Sequence, residues 1–426
     1  MSGLRPVRGT HDVVGEDALR HRKVVETGRE IAARYGYGEV ATPILEFTEV
    51  FARTLGETSD VVTKEMYSFT DRGGEAVTLR PEYTAGVARA FISGSLGHNL
   101  PIKLFCHGPM FRYERPQKGR GRQFHQIDIE VIGAPEPLAD VEVIALGAQI
   151  LRGLGLEEFV TLELNTLGDP ESRRAYRDEL VAYLSGHRDQ LSADSQVRLE
   201  RNPMRILDSK DEGDRALLKN APTLDASMSE ESKRFFAEVR EGLDALGIAY
   251  KINPLLVRGL DYYTHTAFEF TTDKLGAQGA VLAGGRYDGL VATMGGPDTP
   301  GIGWAAGVER LAMLLDSTPT MPRPVAVVPI GDGVTLQALR LAQDLRRHGH
   351  QVEFGFRGKV GQRLKRATRQ HARFAVMMGE DELATDQVVL RDLDRGEQET
   401  VARAALEGRL GQLALEEASS EAQPAG

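Results

Sequence analysis

The chain of 426 residues is 41% hydrophobic and 27% charged, a composition that is ordinary for a globular protein with two or three domains. Its single cysteine excludes an internal disulfide framework and is expected in a reducing cytoplasm. No apolar run reaches the roughly 18 residues of a membrane span, and the N-terminus lacks the apolar segment of a secretory signal. The formal net charge of −10 argues against a general nucleic-acid coat, although basic surfaces can still be local.

Helices and extended segments alternate in the N-terminal part of the chain. Residues 20–35 predict a helix, and residues 39–42 predict a short extended piece. Residues 76–79 predict a strand, after which Thr84 is placed to cap a helix over 85–93.

A hairpin with a long basic tip is predicted next. Residues 102–114 and 123–132 are extended segments on either side of a polar, glycine-bearing loop. The first segment ends in Arg112-Tyr113-Glu114, and the loop adds Arg115, Lys118, Arg120 and Arg122. An arginine at the neck of such a loop predicts a site for an anion.

The return strand of this hairpin carries a polar face. Alternation puts Gln126, Asp128 and Glu130 on one face and apolar residues on the other. An ordinary surface strand would show the same pattern. Beside the basic neck, however, carboxylates suited to an amine or an imidazole and cations suited to phosphate together indicate a pocket for an amino acid and a nucleotide.

The rest of the chain divides at a proline-rich linker, residues 317–324. Before the linker, residues 165–250 are rich in helix formers and charge and predict a helical insertion. After it, strand–helix alternation over 325–415 predicts a small α/β domain with a largely parallel sheet. The polar end of the chain, 416–426, is expected to be disordered.

A second cluster of polar side chains precedes the strand-like run 266–271. It contains Arg258, Asp261 and two phenols, Tyr262 and Tyr263. Because buried charges need partners and phenols usually form hydrogen bonds, the cluster suits a pocket that holds an anion and a polar small molecule. A salt bridge between Arg258 and Asp261 with a purely structural role is the alternative interpretation.

Other segments allow both a functional and an ordinary interpretation. Glu82 and Thr84 offer a carboxylate and a hydroxyl, although an acid is favoured at any helix N-terminus. The glycine-rich turn 284–289 lets backbone approach a ligand closely, as many plain turns do. Arg310 either reaches a phosphate or pairs with a neighbouring acid. Residues 301–307 superficially match a dinucleotide fingerprint, but they open no βαβ unit and the match is rejected.

Taken in order, these segments resemble the histidyl-tRNA synthetase family of class II aminoacyl-tRNA synthetases over nearly the whole chain. The resemblance is carried by the N-terminal signature (8–12), the dimer-interface motif 1 (35–43), motif 2 (111–114 with its loop), motif 3 (303–311) and two histidine-specific motifs (256–264 and 284–289). The sequence departs from the family pattern at Tyr83, where glycine is common, and at Gly121, where a bulkier residue is frequent.

The resemblance implies an α+β catalytic domain over 1–316, with an antiparallel sheet flanked by helices and the helical insertion, and an anticodon-binding α/β domain over 325–415. It implies a cytoplasmic homodimer that ligates L-histidine to histidine tRNA through a histidyl-adenylate, using ATP and Mg²⁺ and releasing AMP and pyrophosphate. The rival interpretation is a catalytically inactive, synthetase-like regulatory subunit of histidine biosynthesis. Such proteins typically lack the anticodon domain and parts of the motifs that this chain retains.

Residue roles also follow from the resemblance. Three arginines are implied to be catalytic and ATP-binding: Arg112 and Arg258 at the α-phosphate and Arg310 at the β/γ end. Histidine binding is implied for Glu82, Tyr83, Thr84, Gln126, Glu130, Tyr262, Tyr263 and Tyr287, with Glu130 and Tyr263 at the imidazole. Tyr83 either crowds the substrate amino group or points away from it. tRNA binding is implied for Arg115, Gln117, Lys118 and Arg120, with the basic stretch 357–373 at the anticodon stem. No Mg²⁺ ligand is implied.

Overall fold

The computed structural model describes residues 4–55, 61–260, 262–276, 279–319 and 321–421, with side chains as far as residue 416. The chain divides into two compact units, one up to Pro319 and one after it. This division falls within the segment predicted to be a linker, 317–324. None of the described helices has the length and apolar character needed to cross a membrane.

An antiparallel sheet forms the centre of the first unit. Within the described residues it has eight strands, in the spatial order β1 (Gly38–Glu39), β5 (Ile102–Phe111), β6 (Gln123–Ile132), β11 (Gly301–Gly307), β10 (Ala280–Arg286), β9 (Thr264–Thr271), β7 (Thr161–Thr166) and β8 (Lys251–Ile252). Neighbours run antiparallel except in the two short outer pairs, β1 with β5 and β7 with β8. The predicted hairpin is therefore present as β5 and β6.

The helices that pack against this sheet include α1 (Glu16–Arg34), α4 (Pro137–Gly153) and α10 (Val308–Leu314). Their apolar side chains, among them Ile31, Ile144 and Leu311, share one buried core with the strands. Trp304 on β11 is tied to α4 because its indole N–H donates to the carbonyl of Val143 at 2.9 Å. This layer leaves the polar alternate positions of β6 for the opposite face of the sheet.

A small sheet and two further helices precede the hairpin in sequence, and a short helix from later in the chain packs against those helices. They are β2 (Leu45–Phe47), β4 (Ala76–Leu79) and β3 (Tyr67–Thr70), with α2 (Thr48–Leu55), α3 (Thr84–Ser93) and α9 (Leu290–Thr293). The prediction that Thr84 caps α3 is wrong, because Thr84 is the first helical residue. Instead, the carboxylate of Glu82 caps the helix by accepting hydrogen bonds from the backbone N–H groups of Thr84 at 2.8 Å and Ala85 at 2.9 Å.

The predicted insertion is helical. It contains α5 (Pro170–Ser185), α6 (Ala193–Arg201), α7 (Glu212–Leu218) and α8 (Glu230–Ala245). Each of these helices begins after a side chain that accepts a backbone N–H of the first turn: Asp169, Ser192, Asp211 and Ser229. Such caps satisfy N–H groups that a helix leaves unpaired.

The second unit is an α/β fold with a mixed sheet. Its strands, in spatial order, are β13 (Val352–Phe354), β12 (Val325–Pro329), β14 (Phe374–Met378), β15 (Gln387–Asp392) and β16 (Gln398–Ala402), with α11 (Thr335–Arg347), α12 (Val360–Arg369), α13 (Glu380–Ala384) and α14 (Leu406–Glu421). The first three strands are parallel, as predicted. The last two strands, β15 and β16, pair antiparallel. The prediction of a largely parallel sheet was therefore wrong for these two strands. Helix α14 continues past the predicted start of the disordered tail at 416, and residues 422–426 lie outside the described residues.

Both units agree with the fold predicted from the sequence. The first is an antiparallel sheet flanked by helices and carrying a helical insertion, and the second has its own sheet and helices. Asp261, for which a structural salt bridge was considered, lies outside the described residues.

Candidate active site

A cavity of about 280 Å³ opens over the main sheet. Its walls come from β6, β10 and β11, from the hairpin loop, and from the segment that leads into β9. The positions next to the polar residues of β6 are small. Gln126 is flanked by Gly108 and Gly307, and Asp128 by Cys106 and Ala305. Because little side chain rises from these neighbours, the polar face of β6 is left open to a ligand.

All three predicted phosphate-binding arginines line this one cavity: Arg112, Arg258 and Arg310. Arg112 is fixed by donating Nε to the carbonyl of Pro81 at 2.9 Å, and its guanidinium lies 5.3 Å from the ring centre of Phe124. Arg310 donates Nε to the carbonyl of Gly119 at 3.2 Å. Arginines far apart in sequence are thus held by backbone acceptors around a common space.

The positive charge of Arg310 is not fully compensated by neighbouring acids. Burial, and then the charges of Arg120 and Arg112, lower the pKa of Arg310, although Glu114 works in the opposite direction. A cation whose pKa is lowered by other cations is stabilised when an anion binds. The cluster therefore has the electrostatic character of a phosphate site.

Arg258 pairs with Glu269, a residue that the sequence analysis did not single out. The two side chains are only 16% and 21% exposed, and Nε of Arg258 has no hydrogen-bond partner among the described residues. Burial lowers the pKa of Arg258, but Glu269, Tyr263 and Tyr262 together outweigh it and raise the pKa above its usual value. The guanidinium also lies 5.4 Å from the ring centre of Tyr263. Glu269 is thus the group that orients Arg258.

A second wall of the cavity carries buried carboxylates. Glu82 and Asp128 line the cavity, and Glu130 lies directly behind them, accepting a hydrogen bond from the Thr84 hydroxyl at 2.6 Å and another from the Tyr287 hydroxyl. Burial raises the pKa of Glu130 to about 8. Burial, followed by the charges of Glu130 and Glu82, raises the pKa of Asp128 well above its usual range. Such a wall favours a cationic or donor-rich ligand.

Apart from Tyr83, the predicted histidine-binding residues divide into two groups. Glu82, Thr84, Gln126, Tyr262 and Tyr263 line the cavity. Glu130 and Tyr287 are buried behind its wall, joined to each other and to Thr84, so a direct contact with histidine stays a prediction for them.

The side chain of Tyr83 does not line the cavity, so the structure does not support a side-chain contact between Tyr83 and histidine. The side chain is 1% exposed and packs in the core with Phe91 and Met110. Its hydroxyl donates to the carbonyl of His107 at 2.5 Å, and the guanidinium of Arg80 lies 4.1 Å from its ring centre. These partners are on the core side of α3, so the ring turns away from the cavity.

Strand β10 runs to Arg286, so only residues 287–289 of the predicted glycine-rich turn 284–289 form a turn, and Arg286 is buried rather than open to a ligand. Arg286 and Asp140 form an ion pair in which neither side chain has exposed surface. Arg286 also donates to the carbonyl of Ala134 at 3.0 Å and to Asp288 at 3.0 Å. This network fixes the turn to α4 and so places the next residue, Tyr287, against Glu130.

The residues predicted to bind tRNA lie on the hairpin loop. Arg115, Gln117 and Lys118 are exposed. The tip is closed by paired backbone hydrogen bonds between Gln117 and Arg120, at 3.1 and 2.9 Å. Arg120 differs from the others because it lines the cavity and pairs with Glu114 at 2.7 Å. Its contact with tRNA, like those of the other three, remains a prediction.

Within the described residues, one cluster has the ligand types and spacing to hold a metal ion. The ligand atoms of His21, His125 and Glu309 all lie within 4.8 Å of one another. Glu309 already accepts the backbone N–H of His125 and contacts its ring at 2.8 Å. These bonds join the start of α10 to β6 and thereby fix the position of Arg310, which is a sufficient structural role for the cluster.

Known proteins share this architecture along the whole chain. A family model described as histidyl-tRNA synthetase matches residues 9–311, and one described as anticodon binding domain matches residues 324–413. Histidine–tRNA ligase of Rhodospirillum rubrum is 63% identical, covering 96% of this chain and 98% of its own length, and that of Gluconacetobacter diazotrophicus is 59% identical, covering 97% and 100%. The crystal structure of apo S. aureus histidyl-tRNA synthetase matches with a TM-score of 0.80 at 35% identity, covering 96% of this chain and 99% of that one. These matches confirm the prediction made from the motifs: the chain belongs to the histidyl-tRNA synthetase family.

Proposed function

We propose that this protein attaches L-histidine to its cognate tRNA through a histidyl-adenylate, consuming ATP and releasing AMP and pyrophosphate. The observation that carries the proposal is a single cavity with Arg112, Arg258 and Arg310 on one side and buried carboxylates on the other. Such a cavity has cations for phosphate and acceptors for an amino acid within one space. The similarity to proteins named histidine–tRNA ligase, together with the anticodon-binding match, supports the same reaction over the regulatory alternative.

In the proposed first step the histidine carboxylate attacks the α-phosphate of ATP in line, and pyrophosphate leaves. Negative charge then grows on the non-bridging oxygens and on the leaving group, so fixed cations supply most of the catalysis. Arg112 and Arg258 are assigned to the α-phosphate and Arg310 to the β/γ end. Arginine suits these positions because it stays charged and can donate to two oxygens at once.

Histidine selection is proposed to depend on the wall formed by Thr84, Glu130 and Tyr287, with Tyr263 opposite. A neutral imidazole has one donor and one acceptor nitrogen, which a carboxylate and a phenol can satisfy together. An amino acid without that pair would leave buried groups unpaired, and such mismatches discriminate by about 10⁴-fold or more.

ATP is proposed to enter as its Mg²⁺ complex. Mg²⁺ takes oxygen ligands and is usually held by one or two carboxylates together with substrate phosphates. The carboxylates nearest the arginines are Glu114 and Glu269, and each is already paired with an arginine. Because both carboxylates are already paired, the ion is proposed to arrive with the nucleotide and to be held mainly by phosphate oxygens. There it offsets the negative charge of the phosphates.

The tRNA is proposed to meet the exposed hairpin residues near its acceptor end, and the second unit near its anticodon. Residues 357–373 hold a dense set of basic side chains, and on α12 Lys365 and Arg369 are exposed. Phosphate contacts of this kind weaken as salt concentration rises. Both partners of the reaction, tRNA and ATP, are available in the cytoplasm, which is the proposed location.

A homodimer is proposed on the strength of an exposed apolar face of the small sheet. Phe47 and Phe69 stand on either side of Val77 in register, and their side chains are 53% and 50% exposed. Large exposed apolar residues grouped on one face are typical of an interface. A second copy is the proposed partner because motif 1, a dimer-interface element by resemblance, directly precedes β2. Phe47→Asp should shift sedimentation toward the monomer.

Histidine-dependent exchange between ATP and pyrophosphate tests the function directly. The wild-type protein should catalyse exchange with histidine, and Arg258→Ala should lower the rate by at least about 100-fold, since one such donor contributes about 3 kcal/mol. Arg53→Ala, which removes an exposed arginine of α2, is the matched control and should keep the wild-type rate. A folded, histidine-binding protein without exchange would favour the regulatory alternative.

A further inference from the structure

The N-terminal segment of the chain, residues 4–12, has no role in the function proposed above. Residues 4–8 and 11–12 are exposed, whereas Gly9 and Thr10 between them are partly buried. At this point the carbonyl of Gly9 accepts the backbone N–H of Arg122, on the basic hairpin loop, at 2.7 Å. The segment is therefore bound to the loop through its backbone.

This hydrogen bond leads directly to Arg112, which is assigned to the α-phosphate. The carbonyl of Arg122 accepts the backbone N–H of Arg112 at 3.0 Å, so backbone hydrogen bonds run from Gly9 through Arg122 to Arg112. On the other side, the N–H of Tyr113 donates to the carbonyl of Glu65 at 2.7 Å. The neck of the loop, residues 112–113 and 121–122, lies beyond the ends of β5 and β6, so these outside carbonyls take over from the regular ladder.

The contact between segment and loop requires glycine on both sides. Gly9 has a φ of +84°, and a Cβ at this position would lie 2.8 Å from Cγ of Arg122 and 2.9 Å from Cγ of Pro116. On the loop, a Cβ on Gly121 would lie 3.1 Å from the carbonyl oxygen of Gly9. The two backbones thus approach more closely than a side chain on either would allow. Gly121 is also a position where the sequence departs from the family pattern, and the structure gives that glycine a physical role.

We propose that Gly9 is a positioning residue for Arg112: it holds the neck of the loop so that the guanidinium is in place before ATP binds. The inference rests on the proposed function, because the assignment of Arg112 to the α-phosphate belongs to it. A displacement of about 1 Å at a reacting group can cost about 100-fold in rate, so a loosened neck should slow adenylate formation. Arg122 and Pro116, the residues that a Cβ at position 9 would displace, are not among those assigned to histidine, so histidine binding should not change.

Gly9→Ala in the full-length protein tests the proposal. At saturating ATP and histidine, the rate of histidine-dependent ATP–pyrophosphate exchange should fall by about 10- to 100-fold, while the dissociation constant of histidine in calorimetry stays at the wild-type value. Gly15→Ala is the matched control. Gly15 also has a positive φ, +59°, but none of the described residues lies within 4 Å of its Cβ position, so this variant should keep the wild-type rate.

Hydrogen–deuterium exchange followed by mass spectrometry separates positioning from a general loss of stability. In Gly9→Ala, peptides covering residues 111–124 should take up deuterium at least about 10-fold faster, because the hydrogen bond to the segment is weakened. Peptides from β10 and β11 should be unchanged, and Gly15→Ala should match the wild type throughout. A purely structural role would instead increase uptake across the main sheet.

Four outcomes would overturn the role of Gly9: wild-type exchange in Gly9→Ala, slow exchange without faster deuterium uptake in the loop, faster uptake across the whole sheet, or equal effects of Gly9→Ala and Gly15→Ala. Gly9→Asn places the same Cβ against the loop but tolerates a left-handed backbone better, so it covers the case in which the alanine variant does not fold. If the wild type shows no histidine-dependent exchange, the proposed function fails. If the wild type does and Gly9→Ala keeps the full rate, only the assignment of Gly9 fails.

Discussion

Asp140→Asn is the most direct test of the network that holds the glycine-rich turn. The substitution removes the negative charge and leaves the guanidinium of Arg286 buried, since neither side chain has exposed surface. Removing one partner of a buried pair costs about 3–5 kcal/mol. Asp288 still faces Arg286 at 3.0 Å, so we expect the lower end of this range, about 3 kcal/mol.

The assay is urea unfolding followed by the fluorescence of Trp304, the only tryptophan of the chain. Its indole N–H bonds the carbonyl of Val143 on α4, the helix that carries Asp140, so the signal reports on the affected layer. Glu49→Gln is the control, because it breaks a pair with Arg53 that is 65% and 58% exposed and should cost about 0.5 kcal/mol or less. Equal shifts of the unfolding midpoint in the two variants would refute the reasoning.

Three further predictions concern the cavity. Burial raises the pKa of Glu130 from its ordinary 4.5 to about 8, so the native protein keeps a proton that the unfolded chain releases. The free energy of unfolding should therefore fall as pH rises from about 5 to about 8. Glu130→Gln should remove this part of the pH dependence in urea melts, and an unchanged slope would contradict it. Gly303→Ala should abolish exchange, because its Cβ would lie 2.0 Å from the Glu130 carboxylate and 2.3 Å from the carbonyl of Ile129; wild-type exchange would show that the strand adapts. Glu269→Gln should lower the exchange rate by about 10-fold without weakening histidine binding, because it loosens Arg258, and a selective loss of histidine affinity would argue otherwise.

The regular elements of the fold were predictable because their periodicity is local. Alternation over 123–132 and the break at the basic loop were enough to predict β5 and β6. A β-branched run predicted β12, and the alternation of strands and helices predicted β14. The antiparallel pair β15 and β16 was missed, although the turn between them contains Asp394-Arg395-Gly396, a signal for a hairpin.

The motifs predicted which residues form the site, but not the direction in which each side chain points. Motifs brought Arg112, Arg258 and Arg310 to one pocket, but they could not show which way Tyr83 turns, because that depends on a carbonyl acceptor from a strand distant in sequence. Glu269 was missed because its pairing with Arg258 depends on how the two side chains turn in the folded chain. An acid within an apolar strand was a usable signal, yet its partner, Arg258, is defined by the pairing of the folded chain.

Cys106 lies opposite Asp128 in the register of β5 and β6, and it is the only cysteine of the chain. Burial, followed by the charges of Asp128 and Glu130, raises the pKa of its thiol well above the usual value. The thiolate that alkylating reagents attack is therefore suppressed for as long as the two strands remain paired. The rate at which such a reagent labels the native protein consequently measures how often the sheet separates beneath the cavity, without any engineered cysteine.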